Sequence, residues 1–266
     1  MKAYLLFAKN EFLSELAYRF NAVLRAVSTL IAIYVEIAIW HALYAQSNDM
    51  QTSYGVISLT DMIAYAVMSA IVNTLVRNRI IYGIDDRIKT GDIAFDLNRP
   101  LSFWGMLLSK TIGQNGFTFL FQFVFISVFV LPFFPVPVPT PEYLVYFLIV
   151  LVLGFLTRFL LAFMLGLCGF WYMRIWHMER VLFVTIGFFS GSFVPLWFFP
   201  EIVGRISEWL PFKGIFFNPI SVFLMKLEPL AVYQEIFKQT IWVVALALIC
   251  YMIWQRGIKK LTVQGG

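Results

Sequence analysis

The sequence has few charged residues for its length. Charged residues make up 13% of its 266 positions, hydrophobic residues make up 61%, and the mean hydropathy is +0.80. A soluble domain could not bury this much apolar surface, so the balance excludes a soluble protein. A membrane-spanning helix takes roughly 20 apolar residues, and the chain length fits one domain of such helices over residues 1–266. The composition therefore predicts a single-domain, all-α polytopic membrane protein.

Histidine and cysteine are scarce, which limits the chemistry that the chain can perform. The two cysteines, Cys168 and Cys250, lie in apolar runs with neither a metal-ligand spacing nor a paired framework. An intramembrane enzyme would need metal-ligand histidines, paired acids or a nucleophile with a base. Only His41 and His177 are present, and the predicted topology places them on opposite sides. We therefore expect no enzyme activity, no catalytic residue and no metal site in this chain.

A nucleotide-binding loop is also lacking. Such a loop reads G-x-x-x-x-G-K-[ST] after a strand, and the nearest string, residues 104–111, has Trp104 and Ser109 where both glycines should be. The net charge of +5 comes from short basic clusters between apolar runs, where anionic lipid headgroups are the expected partner. We therefore expect that the chain binds no cofactor, contacts membrane lipids and binds no nucleic acid.

Six apolar runs are long enough to be spans. They cover residues 22–44, 57–76, 106–131, 143–170, 181–199 and 232–254. Before them, charged residues alternate with apolar residues at helical spacing, which predicts an amphipathic helix along the membrane surface over residues 1–20. The apolar positions of that helix are Leu5, Leu6, Phe12, Leu13, Leu16 and Phe20. An early start to the first span is the alternative.

Basic residues are concentrated in every second connection between these runs, and therefore on one side of the membrane. Fourteen belong to one side, namely Lys2, Lys9, Arg19, Arg77, Arg79, Arg87, Lys89, Arg99, Lys110, Arg174, Arg180, Arg256, Lys259 and Lys260. The opposite side has only Arg205, Lys213, Lys226 and Lys238. Because basic residues mark the cytoplasmic side, both termini are predicted to be cytoplasmic. The expected location is the bacterial cytoplasmic (inner) membrane.

Two connections carry patterns of their own. In the cytoplasmic connection, residues 77–110, Ile80, Ile81, Ile84 and Ile88 share one helical face, and Gly91 is placed to end the helix. This pattern predicts a short amphipathic helix beneath the membrane, with an ordinary interfacial linker as the alternative.

In residues 194–230, five prolines divide apolar stretches that are each too short to cross the membrane, which predicts an external re-entrant segment. A hairpin at the interface is the alternative there.

The ionisable residues predicted inside the spans include Glu36 and His41 in the first, Asp61 in the second and Arg158 near the middle of the fourth. Such groups are costly in lipid and usually face protein or water. Glu36 and Arg158 either pair within the bundle or line a substrate route, whereas His41 and Asp61 are expected near the outer interface. Gly154, Gly166 and Gly169 lie on the same run as Arg158 and would allow close approach of neighbouring helices.

The order of these features resembles the permease subunits of ABC-2-type exporters, which are type V exporters. The loop motif I-x-x-x-I-x-x-G-x-I-x-x-x-L-x-R-P, the six runs and the proline-rich segment before the last run carry the resemblance. In this chain the motif positions are Ile84, Ile88, Gly91, Ile93, Leu97, Arg99 and Pro100. The closing residues 263–266 are similar to those of a branch with paired permeases.

The resemblance implies that an amphipathic or lipid-like substrate is exported with ATP hydrolysed on a separate ABC ATPase subunit, which would bind the ATP and Mg²⁺. The helix between the second and third spans would be the coupling helix that docks on that ATPase. Its matching positions are Tyr82, Ile84, Asp85, Asp86, Arg87, Ile88, Lys89, Gly91 and Asp92. Glu36 and Arg158 are candidates for the substrate pathway. A second permease is expected, and the branch favours a paralogous one. A secondary transporter without an ATPase is the alternative function, and it predicts broken central helices or internal repeats.

Overall fold

The chain is almost entirely helical in the part that the computed structural model describes, residues 2–45, 49–52, 55–172 and 175–261. The α-helices are α1 (Lys2–Ala17), α2 (Arg19–Leu43), α3 (Leu59–Val76), α4 (Ile80–Thr90), α5 (Ile93–Leu97), α6 (Phe103–Phe129), α7 (Pro141–Leu167), α8 (Trp176–Phe189), α9 (Glu201–Trp209), α10 (Phe217–Phe223) and α11 (Pro229–Leu261). The prediction of an all-α membrane fold is confirmed. The tail that resembles the paired-permease branch, residues 263–266, lies outside the described residues.

A short antiparallel hairpin lies between α2 and α3, and the sequence patterns did not predict it. Strands β1 (Asp49–Thr52) and β2 (Gly55–Ser58) pair with Met50 opposite Ile57. Ser58 then begins α3, because its hydroxyl accepts the Asp61 N–H while the Asp61 carboxylate accepts the Ser58 N–H. This reciprocal capping fixes the start of the second predicted span at Leu59 rather than Ile57.

Five helices of the described chain, α2, α3, α6, α7 and α11, are long and apolar enough to cross a membrane. They correspond to five of the six predicted spans. The prediction of a continuous span over residues 181–199 is wrong, because α8 has 14 residues and ends at Phe189. At ~1.5 Å per residue, α8 is shorter than the ~30 Å hydrocarbon core of a membrane. The chain turns at Gly191, whose φ of +79° suits glycine, and Pro195 follows.

The backbone at this break obtains hydrogen bonds from neighbouring elements. The hydroxyl of Tyr65 on α3 donates to the Gly191 carbonyl at 2.8 Å. The Phe217 N–H at the start of α10 donates to the Ser190 carbonyl at 2.9 Å. Polar backbone groups inside a membrane protein need such partners, so α3 and α10 make the interruption possible.

The proline-rich segment folds back into the bundle. Two 3-10 turns, Leu196–Phe198 and Lys213–Ile215, flank α9, and α10 follows with nearly every residue buried. Gly154 of α7 allows this approach, since a Cβ there would lie 2.5 Å from the Gly214 carbonyl oxygen. Buried Lys213 is 3.4 Å from one carboxylate oxygen of Glu235 on α11, and the other oxygen accepts a 2.8 Å hydrogen bond from the Asn218 amide. The segment is thus held between α7 and α11.

The bundle has two distinct ends. At one end the Phe103 ring of α6 stacks on Trp254 of α11, with centroids 5.0 Å apart, and Phe163 of α7 lies beside both. We name this the basic end, and it carries α1, α4, α5, the start of α6 and the final turns of α7 and α11. At the opposite end, Lys226 binds Asp61 at 2.7 Å, and β1 and β2 lie there.

The first helix, α1, packs along the first half of α6. A Cβ on Gly113 of α6 would lie 2.0 Å from the Ala8 carbonyl oxygen, so the two backbones touch there. Lys110 pairs with Glu11 at 3.2 Å, and the Gln114 amide donates to Glu15 at 2.7 Å. The leucines predicted to form the apolar face are on the other side and are exposed. Contact with α6 therefore uses small, polar and aromatic residues of α1, including Phe12, whose ring packs edge-on against Phe117 of α6 with centroids 5.4 Å apart.

We expect Gly113→Ala to destabilise the protein, because its new methyl group would overlap the α1 backbone. Overpacking of this kind costs ~1–3 kcal/mol, which outweighs the ~1 kcal/mol that replacing a helical glycine with alanine contributes. Unfolding by dodecyl sulfate in mixed micelles measures the change. Gly116→Ala is the matched control, since nothing lies within 4 Å of its Cβ position, and it should be neutral or stabilising. Equal stability of the two variants would contradict the close α1–α6 contact.

Candidate functional site: the α4 helix and the central polar cavity

The sequence pattern of α4 leads directly to its structure. Ile80, Ile81 and Ile84 are buried, and Ile88 is half-buried on the same face. The helix ends at Gly91, which has a φ of +80° and forms the left-handed C-cap, as predicted. The helix is therefore amphipathic, with one face for packing and one face open.

The buried face of α4 is seated on the final turns of α7. A Cβ on Gly166 would lie 2.7 Å from the Cδ1 atom of Ile84. A Cβ on Gly169, just beyond α7, would lie 3.2 Å from an Asp85 carboxylate oxygen and 3.3 Å from Ile88. The missing side chains of the two glycines form the recess that α4 fills, so α4 and α7 are packed as one body.

Arg87 is engaged within the chain. Its guanidinium binds the carboxylate of Asp96 on α5, and Arg99 binds the other oxygen of that carboxylate at 3.3 Å. Asp96 is only 4% exposed, so a buried acid is held by two arginines. This arrangement closes α5 against α4 and leaves Arg87 unavailable to another protein unless the pair breaks.

The remaining coupling positions divide into paired and open side chains. Asp85 and Lys89 form an exposed pair one turn apart, and Asp92 accepts a 2.9 Å bond from the Thr90 hydroxyl. Asp86 and Tyr82 are exposed on the outer face of α4. A hydrogen bond with Glu179 of α8 is the largest influence on Tyr82 and raises the pKa of its phenol. The open face of α4 therefore centres on Asp86 and Tyr82.

A cavity of about 500 Å³ lies between α2, α3, α6, α7 and α8. Its polar lining is Arg25, Ser28, Thr29, Glu36, Ser69, Asn73, Thr74, Arg77, Asn78, Arg79, Gln114, Asn115, Thr118, Gln122, Arg158 and Ser192. Arg77 and Arg79 directly follow α3 and are exposed at the basic end. We name this space the central cavity. It runs from the basic end into the bundle.

Hydrogen bonds fix the inner wall of the central cavity. The Gln122 side chain of α6 bonds to Thr74 of α3 and donates to Thr29 of α2 at 3.3 Å. The Asn115 amide donates to the carbonyls of Leu75 and Arg77, at 2.8 and 2.7 Å, and so caps the end of α3. These bonds hold α2, α3 and α6 in register around the cavity.

Glu36 and Arg158, the two candidates for the substrate pathway, both line the central cavity. No ion pair joins Glu36 to Arg158, although both lie in the described part of the chain. The Arg158 guanidinium instead lies 5.7 Å from the ring centroid of Phe216, the residue before α10. Of the two arrangements that the sequence left open, the geometry therefore matches a lined cavity rather than a buried pair.

Several residues of these sites were not singled out from the sequence. The polar face of α6 had a readable signal, because Thr111, Gln114, Asn115, Thr118 and Gln122 recur at spacings of three and four in an apolar run. The role of Asp96 had no such signal, since its partner Arg87 lies on a different helix.

Comparison with known proteins gives one match. The family described as "ABC-2 family transporter protein" matches residues 30–265, which include α3 to α11 and most of α2. No curated protein and no solved structure matches the chain significantly.

We expect Arg87 and Asp96 to be coupled strongly. Arg87→Met leaves a buried carboxylate with one partner, so the double variant with Asp96→Asn should be less destabilised than the two single effects together. The coupling should be ~1–3 kcal/mol in dodecyl sulfate unfolding. The exposed pair of Glu201 and Arg205 on α9, changed to Gln and Met, is the control and should couple by less than ~1 kcal/mol. Additive effects at Arg87 and Asp96 would show that the two side chains do not hold α4 to α5.

Proposed function

The chain belongs to the ABC-2 transporter family, and we propose that it is the membrane-spanning permease of an ATP-driven exporter whose ATPase is a separate subunit. The family implies a permease component of an ABC transporter. The seating of α4 on α7 carries the proposal, because it supplies a rigid connection from an exposed docking face to the centre of the bundle.

The open face of α4 would dock on the ATPase. Asp86 and Tyr82 offer a negative charge and an aromatic ring there, and the pairs formed by Arg87 and Lys89 keep the helix rigid. When the ATPase subunits close, a displacement of α4 would pass to α7 through the recess at Gly166. ATP and Mg²⁺ would be bound on the ATPase and not by this chain.

The basic end would face the cytoplasm of a bacterial cell, with both termini on that side. The described basic residues of the predicted cytoplasmic set belong to α1, the start of α2, α4, α6, α8, α11 and the connections around them, which supports this orientation. The central cavity would then open to the cytoplasm. An exporter takes up its substrate on that side, so Glu36 and Arg158 would line the uptake site for an amphipathic or lipid-like molecule.

A second permease would complete the translocation route. Much of the apolar surface of α2 and α11 is exposed, which suits contact with lipid and with another permease. The resemblance of residues 263–266 to a branch with paired permeases favours a paralogous subunit over an identical one.

A secondary transporter is the second candidate, and one observation favours it. The interruption after α8, beside the re-entrant α10, resembles the broken helices on which such transporters build their binding sites. The family match weighs against it, because the family implies an ATPase partner.

Asp86→Lys tests the coupling face. The chain would be affinity-purified in mild detergent from its native host, and its partners would be identified by mass spectrometry and assayed for ATPase activity. We expect an ATPase and a second permease with the wild type, and at least ~10-fold less ATPase with Asp86→Lys, because a charge on the docking face is reversed.

Glu201→Lys is the matched control, since it reverses an exposed acidic charge on α9, away from α4. It should retain the ATPase at the wild-type level. Purification of the wild-type chain without any ATPase would contradict the exporter and support the secondary transporter.

A further inference from the structure

The central cavity has far more positive than negative charge. Arg25, Arg77, Arg79 and Arg158 line it, and Glu36 is the one carboxylate among its described lining residues. Arginine remains protonated at any physiological pH, so these charges persist. The cavity therefore attracts anions and repels cations.

Three of these arginines have no acidic partner in the part of the chain that the structure describes. Arg25 is paired with Glu15 of α1, whereas no ion pair involves Arg77, Arg79 or Arg158. Arg77 and Arg79 are exposed at the basic end, whereas Arg158 lies inside the bundle, where a guanidinium is costly unless water or an anion contacts it. An anion bound in the cavity would offset that cost.

Two hydrogen-bond donors on the cavity lining are also unused. The Nε atom of Arg25 and the Nδ2 atom of Asn78 are buried and have no partner among the described residues. The amides of Asn115 and Gln122 differ, because both are bonded within the wall. Positive charge with free donors suits a group that has several acceptor oxygens, and phosphate is such a group.

The lining also has an apolar part beside its polar residues. It includes Leu24, Ala32, Ile33, Phe183, Ile186 and Phe193. A volume of about 500 Å³ lies within the ~300–1,000 Å³ of sites for organic ligands and exceeds what a phosphate group alone would fill. The cavity therefore suits a molecule that carries both an anionic head and an apolar chain.

We propose that the central cavity binds the phosphate head of an anionic amphiphile through Arg77, Arg79 and Arg158, with the apolar chain against the side chains of α2 and α8. This names a substrate class for the proposed exporter. The role of the amphiphile as exported cargo rests on the proposed function, but its binding does not.

The test measures binding of dioctanoyl phosphatidic acid to the purified full-length chain in an uncharged detergent, by native mass spectrometry and calorimetry. Arg77→Gln with Arg158→Gln should weaken binding at least ~10-fold, because two charge-assisted contacts are lost. Arg19→Gln with Arg256→Gln is the control, since both are exposed arginines outside the cavity lining, and affinity should stay within ~2-fold.

Two further ligands separate the contributions of the head and the chain. Dioctanoyl phosphatidylcholine has the same apolar chains with a head of no net charge, and inorganic phosphate has the anionic group without a chain. Equally tight binding of either would overturn the proposal, as would equal losses in both double variants or no loss in the cavity variant. Unfolding midpoints check that the variants are folded. If the double variant is unstable, Arg77→Gln alone, at an exposed position, is compared with the wild type for its affinity for phosphatidic acid. The assay contains no ATPase, so failure here and failure of ATPase recovery are independent results.

Discussion

The structure depends on how closely other backbone segments can approach α7. Gly154, Gly166 and Gly169 remove side chains where α7 and its end meet the re-entrant segment and α4, and any Cβ at Gly154 or Gly166 would overlap a neighbour. Because close-packed interiors tolerate little added volume, these positions fix where α4 and the re-entrant segment sit. Gly154 and Gly166 are separated by twelve residues, or ~18 Å of helix. One rigid helix therefore joins the two contacts.

Arg158 lies between these contacts and lines the central cavity. If a movement of α4 were passed to α7, it would displace Arg158 and, at the same time, the segment around Gly214. The ion pair of Lys213 with Glu235 and the hydrogen bond from Asn218 to Glu235 connect that segment to α11. The proposed coupling of ATP hydrolysis to the cavity would thus require no relay of small shifts, because α4, α7 and the re-entrant segment would move as one packed body.

Much of this architecture was predictable, and the exceptions have physical causes. Hydrophobic length correctly predicted five of the six proposed spans, and the isoleucine spacing with Gly91 predicted α4, because both signals are local. The break after α8 was missed, since the apolar run continues through Gly191 and the partners that satisfy its backbone come from α3 and α10. The same limit applies to sites. Glu36 and Arg158 stand out as charges in apolar runs, whereas the pairing of Arg87 with Asp96 depends on how two helices pack.

Distance measurements between spin labels test the central claim, that α4 and α7 move together, most directly. In a background with Cys168 and Cys250 replaced by alanine, one pair of labels would join Thr90→Cys on α4 to Leu148→Cys on α7. A second pair would join Thr90→Cys to Val27→Cys on α2. In the complex with its ATPase, nucleotide binding should leave the first distance unchanged and shift the second. A change in the first distance would show that α4 slides on α7 and would contradict the account.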